Sequence, residues 1–145
     1  RSKCMVYFTF CIFIFTFLTN FNPMKHTNFF SSLKTAMVGI KTLFMESRNA
    51  RIQFLLFTIA LILGCLLKLT AHEWLWILVS ATLVLSLEAV NTSMEVLADL
   101  HTTEYHPRIK LLKDISAAAV LIASIFSLIV AMLVFWPHLS TILPD

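Results

Sequence analysis

Glycine is almost absent, with two residues, Gly39 and Gly64, in a chain of 145. So little glycine excludes the loops that cradle phosphates through bare backbone, and no GxxxxGK[ST] motif is present. Charge is scarce too, at 13% of residues against 59% hydrophobic, which excludes an ordinary soluble domain and indicates an integral membrane protein. The three cysteines, Cys4, Cys11 and Cys65, form no CxxC pair and have no histidine cluster beside them. Neither a disulfide framework nor a zinc site is indicated. A net charge of +3 is small and dispersed, so no nucleic-acid partner is expected. The length leaves no room for a separate soluble catalytic module, so any chemistry must use helix ends, short connections or neighbouring subunits.

What is present is helical. Residues 1–23 combine a basic start with a short apolar run, read as an N-terminal extension: an upstream read-through, an anchor or a signal segment. The core is expected as one domain over residues 24–145. Over residues 28–51, Phe29, Phe30, Leu33, Ala36, Met37, Ile40, Leu43 and Phe44 recur at helical spacing among Lys34, Lys41 and Arg48. That pattern predicts an amphipathic helix on the bilayer surface. Three transmembrane helices follow, at about 52–67, 74–97 and 117–136, the first slightly short with Lys68 at its end. Pro137 is expected to end the last of them. The fold class is therefore all-α integral membrane, a surface helix followed by three spans.

Basic residues orient it. Lys25, Lys34, Lys41, Arg48 and Arg51 precede the first span, and Arg108, Lys110 and Lys113 lie between the second and third, whereas Lys68 stands between the first and second. The positive-inside rule puts the first two groups in the cytoplasm. Trp74, Trp76 and Trp136 then belong to the opposite interface.

Glu88, Asn91, Glu95 and Asp99 stand at spacings of three, four and four at the cytoplasmic end of the second span. At about 100° per residue they share a sector of roughly 80°. An ionised group facing lipid at mid-helix costs about 2.5–3.5 kcal/mol or more, so the stripe must face protein, water or a cation. By chemistry alone such a face could bind a divalent cation, relay protons or take a proton from a hydroxyl. Glu104, Tyr105, His106, Lys113 and Asp114 follow on the side that meets cytoplasmic phosphate donors, and could together hold a nucleotide. The competing reading is a non-enzymatic cation or proton pathway along Glu88, Glu95 and Asp99.

The strings LEAVNTSMEVLAD, TEYHP and KDISAAAVLIA, with GIKTLFMESRNARIQ upstream, resemble the bacterial integral-membrane diacylglycerol kinase and undecaprenol kinase family. The resemblance covers about 29–136 and is most specific over 88–120. It implies an ATP- and magnesium-dependent lipid kinase of the bacterial inner membrane, multi-pass and homotrimeric, working at the cytoplasmic face with composite sites between subunits. Diacylglycerol is the first expected acceptor and undecaprenol the alternative. By the same resemblance Glu88 is the catalytic base, Glu95 a magnesium ligand and Asn91 a substrate-orienting residue. Asp99, Glu104, Tyr105, His106, Lys113 and Asp114 are implied on the nucleotide side, with Ser47 a further candidate there. The family commonly carries a second magnesium-binding glutamate where this chain has Ser47. Either Glu46, one residue earlier, serves the metal through a change of helix register, or Ser47 and water replace it. The small residues from Ser116 to Val120 are expected to let helices approach closely.

Overall fold

The computed structural model describes residues 29–101 and 105–140, all but a few of them in four helices: α1 (Phe29–Glu46), α2 (Arg48–Leu66), α3 (Ala71–His101) and α4 (Pro107–Ser140). The readings made for residues 1–23 and for Glu104 lie outside the described residues. α2, α3 and α4 are each long and apolar enough to cross a membrane. The chain divides into two compact units at Val38 and Gly39, within α1, and the three long helices belong to the second.

The 28–51 pattern is not one helix, because Ser47 interrupts it. Its backbone is extended (φ −89°, ψ 117°) and its hydroxyl accepts a hydrogen bond from the Ala50 amide at 3.0 Å, making it the N-cap of α2. No residue of α1 is buried. Where α1 ends, Phe44 meets Phe54 of α2 edge to face, with ring centroids 5.2 Å apart.

α2 and α3 are joined by a tight turn. Leu69 N–H reaches Gly64 O at 3.1 Å and Lys68 N–H reaches Cys65 O at 3.3 Å, the paired bonds of a Schellman motif with Lys68 in the left-handed region (φ 55°). α3 then starts on a capping box. Glu73 accepts from both the amide and the hydroxyl of Thr70, each at 2.7 Å, while the Thr70 hydroxyl accepts from the Glu73 amide at 3.4 Å. The second oxygen of Glu73 meets His138 Nε2 at 2.9 Å, closing this end of the α3–α4 pair. His138, which carries no expected partner in the sequence, is therefore half of an interhelical contact. Glu73 and Trp74 of α3 and Trp136 and His138 of α4 stand at the same end of the antiparallel pair.

Two boundaries differ from expectation. α4 runs through Pro137 to Ser140, because a proline in the last turn loses only one backbone bond and the His138 contact holds that turn in place. At the other end, α3 continues to His101 and α4 begins at Pro107, so most of the stretch expected as a loop is helix. Pro107 occupies the first helical position, where its missing N–H costs nothing, and the His106 ring nitrogen accepts from the Arg108 amide at 3.3 Å. At 1.5 Å per residue α4 is about 51 Å long, well beyond a hydrocarbon core of about 30 Å.

The α3 side chains buried between helices are Ile77, Ser80, Val84, Glu88, Asn91 and Ala98, a single stripe at spacings of three, four and seven residues. Val120, Ala123, Val130 and Val134 of α4 oppose it. The seam is apolar at the Trp74 end, where Leu69, Ile77, Val130 and Val134 pack with Phe57, Trp74 and Phe135. It carries hydroxyls at mid-depth, where Ser127 Oγ and Ser80 Oγ are 3.5 Å apart. Toward the opposite end it becomes carboxylate and amide. Large apolar side chains cover the outward faces, among them Leu55, Leu56 and Ile62 of α2 and Leu121, Ile122 and Leu133 of α4, as a lipid-solvated bundle requires.

Candidate active site

Glu88 sits at the centre of the polar seam, 1% exposed. A buried carboxylate survives only if its oxygens are hydrogen-bonded. Both are: Ser47 Oγ donates to Oε1 at 2.6 Å and Gln53 Nε2 donates to Oε2 at 3.3 Å. Both donors come from the start of α2, one as its N-cap and one six residues further along. Neither carries a charge.

One turn on, Asn91 is 5% exposed and links two helices. Its amide nitrogen donates to Glu95 Oε1 at 2.9 Å and its amide oxygen accepts from Ser116 Oγ of α4 at 2.7 Å. Glu95 is itself exposed, so it offers an anchored carboxylate at the open end of the site. Farther out, the half-buried Lys113 donates to the exposed Asp99, and Lys110 pairs with Asp114 at 3.1 Å. The α3 stripe expected from spacing is thus one continuous face, contacted from α2 at its inner part and from α4 at its outer part.

Other expected residues fall differently. Glu46 is exposed and Ser47, not Glu46, reaches Glu88. Tyr105 is exposed, and His106 uses its ring nitrogen to cap α4. Gln53 carries no sequence signal and Ser116 only that of a small residue; an uncharged residue at a helix face does not reveal its role until its neighbour across the interface is known.

Below Glu88 the three long helices enclose a groove of about 340 Å³ that opens outward. Its walls are apolar apart from Gln53, Ser80, Ser124 and Ser127. Gln53 is shared by groove and carboxylate: its nitrogen binds Glu88 while its oxygen is buried without a hydrogen-bond partner among the described residues. A long hydrocarbon lying in the groove would have its polar end beside Glu88.

Among the described residues no three carboxylate, histidine or cysteine side chains gather to form a metal cage. Magnesium does not need one, because it is typically held by one or two carboxylates together with substrate phosphates and water. Glu95, fixed at one oxygen by Asn91 and free at the other, fits that pattern.

The family model described as prokaryotic diacylglycerol kinase matches residues 34–135. The chain is 35% identical to the undecaprenol kinase of Bacillus subtilis over 111 residues, 77% of this chain and 90% of that one. It is 32% identical to a diacylglycerol kinase of Synechocystis over 117 residues, 80% and 67% of the two chains. With a diacylglycerol kinase of Escherichia coli it shares 28% identity over 100 residues, 69% and 82%.

Proposed function

The chain belongs to the prokaryotic diacylglycerol kinase family and is a membrane lipid kinase, and from that premise we propose that it transfers the γ-phosphate of ATP to diacylglycerol, with Glu88 as the base. The observation that carries the assignment of Glu88 is its position. It is a buried carboxylate held by two neutral donors, on the same seam as the apolar groove, with the anchored Glu95 and the Asp99–Lys113 pair following along one face.

In this reaction the lipid hydroxyl gives its proton to Glu88 as its oxygen forms the new bond to the γ-phosphorus. The bond from that phosphorus to the bridging oxygen breaks, and ADP departs. Because phosphoryl transfer asks the protein chiefly for positioning and charge stabilisation, a small bundle suffices. Asn91 orients Glu95, and Lys113, drawn toward the stripe by Asp99, supplies positive charge on the phosphate side. Tyr105, His106, Asp114 and Glu104 complete the nucleotide side, and Ser47 is assigned to Glu88 rather than to the nucleotide. Magnesium, when bound with ATP, would be held by Glu95 and would neutralise phosphate charge.

The enzyme works in the bacterial inner membrane with its site toward the cytoplasm, an orientation supported by Arg48, Arg51, Arg108, Lys110 and Lys113 all lying near the Glu95–Asp99 end. A homotrimer is the proposed assembly, as the resemblance to the family implies. Undecaprenol is the second reading of the acceptor, favoured by the Bacillus relative.

The test is phosphate transfer from labelled ATP in mixed micelles containing diacylglycerol or undecaprenol separately. Transfer to diacylglycerol, reduced by about 10²–10⁴-fold in Glu88→Gln, is the expected result. Transfer confined to undecaprenol would replace the acceptor, and full turnover by E88Q would remove Glu88 as the base.

A further inference from the structure

We propose that Ser47 and Gln53 are positioning residues for the base, a neutral two-donor clamp that ties the Glu88 carboxylate to the first turns of α2; this rests on the kinase reading above. The Ala50 amide can only donate, so at 3.0 Å the Ser47 oxygen must accept from it. That leaves the single hydroxyl proton of Ser47 for Glu88 Oε1, 2.6 Å away. The amide nitrogen of Gln53 occupies the other oxygen at 3.3 Å. With both oxygens engaged from one helix, the plane of the carboxylate is set by α2 although the residue belongs to α3.

The choice of groups matters chemically. A hydroxyl is the smallest side-chain group that can accept from a helix N-terminus and donate to a carboxylate at once. A lysine or arginine in either place would form an ion pair with Glu88 and oppose its taking a proton. Serine and glutamine orient the carboxylate while remaining neutral. Ser47 also stands at the break between α1 and α2, so the geometry of the base depends on the backbone at that break.

The capping and clamping duties separate by substitution. Ser47→Ala loses both. Ser47→Gly keeps a residue well tolerated at an N-cap but has no donor for Glu88, and Ser47→Thr keeps both. Gln53→Leu removes the second donor alone. Phosphate transfer is measured for each full-length variant in the same micelles, with KM for ATP and lipid obtained separately from kcat, and with thermal melting of the purified protein.

The clamp predicts that S47G and S47A lose about tenfold or more in kcat with both KM values nearly unchanged. S47G and Q53L should each melt below the parent, because each leaves one buried carboxylate oxygen without its donor, and S47G no lower than S47A; S47T should recover kcat to within a few-fold, and Q53L should fall in kcat less than S47G. Parent-like kcat in S47G would overturn the clamp by reducing Ser47 to a cap. So would losses that appear in KM alone, or that track the melting temperature across the series. A parent chain that transfers phosphate to neither lipid would overturn the kinase reading and the clamp with it, whereas an active parent beside an equally active S47G overturns the clamp alone.

Discussion

Asn91 holds one carboxylate and one hydroxyl with the two ends of a single amide, so replacing it separates two effects. Asn91→Ala should free Glu95 and leave Ser116 without its α3 partner. If Glu95 serves the magnesium ion, the magnesium concentration giving half-maximal turnover should rise several-fold, while stability falls by about 1–2 kcal/mol for the lost buried hydrogen bonds. Magnesium titration of activity alongside thermal melting checks this; an unchanged magnesium dependence would detach Glu95 from the metal. The Asp99–Lys113 pair should contribute under about 1 kcal/mol to stability, because Asp99 is exposed and solvent reaches the pair. At this scale the α3 stripe was legible because a 3.6-residue period alone aligns Glu88, Asn91, Glu95 and Asp99. Their partners were not. Ser47, Gln53 and Ser116 meet the stripe only through the register of α2 and α4 against α3, which no local pattern encodes.

Among the helices, the α2–α3 turn is closely packed. A Cβ placed on Gly64 would lie 2.7 and 2.9 Å from ring atoms of Trp74 and 3.0 Å from Leu69, so the glycine is there for close approach rather than for its backbone freedom. Gly64→Ala should destabilise the protein by about 1–3 kcal/mol, seen as a lower melting temperature in detergent, and Trp74→Leu in the same chain should recover part of that loss. An unaffected melting temperature would mean that the indole swings away freely. Helix existence could be read from hydrophobic runs, but helix ends could not. Ser47 breaks a pattern that is periodic on both sides of it, and Pro137 fails to stop α4 because the last turn is held to Glu73 by His138. In both cases a single side-chain contact outweighs the local propensity. The capping box at Thr70 and Glu73 is the exception, since its T-x-x-E spacing is visible in the chain itself.

For the whole molecule, charge asymmetry predicts which end faces the cytoplasm. Cysteines placed singly at Lys68 and at Lys110, in a chain with its own three cysteines replaced, should react with an impermeant maleimide from opposite sides of the membrane. Lys110→Cys should label only from the cytoplasmic side and Lys68→Cys only from the other, and labelling of both from one side would refute the three-span topology.

The unequal helix lengths have an effect on the lipid itself. At 1.5 Å per residue, the 19 residues of α2 reach about 28 Å, short of a hydrocarbon core of about 30 Å, whereas α3 and α4 overreach it. A bilayer thicker than α2 can meet it by thinning along the α2 face, and the start of α2 is where Ser47 and Gln53 meet Glu88. A membrane pinched there lowers the glycerol or prenol end of a neighbouring lipid toward the depth of the carboxylate, so elastic deformation of the bilayer would deliver the acceptor. Turnover in vesicles of graded acyl length should then be low where the bilayer matches α2, rise in a slightly thicker one that pinches, and decline again in much thicker bilayers, where the pinch costs a fraction of a kcal/mol for each ångström.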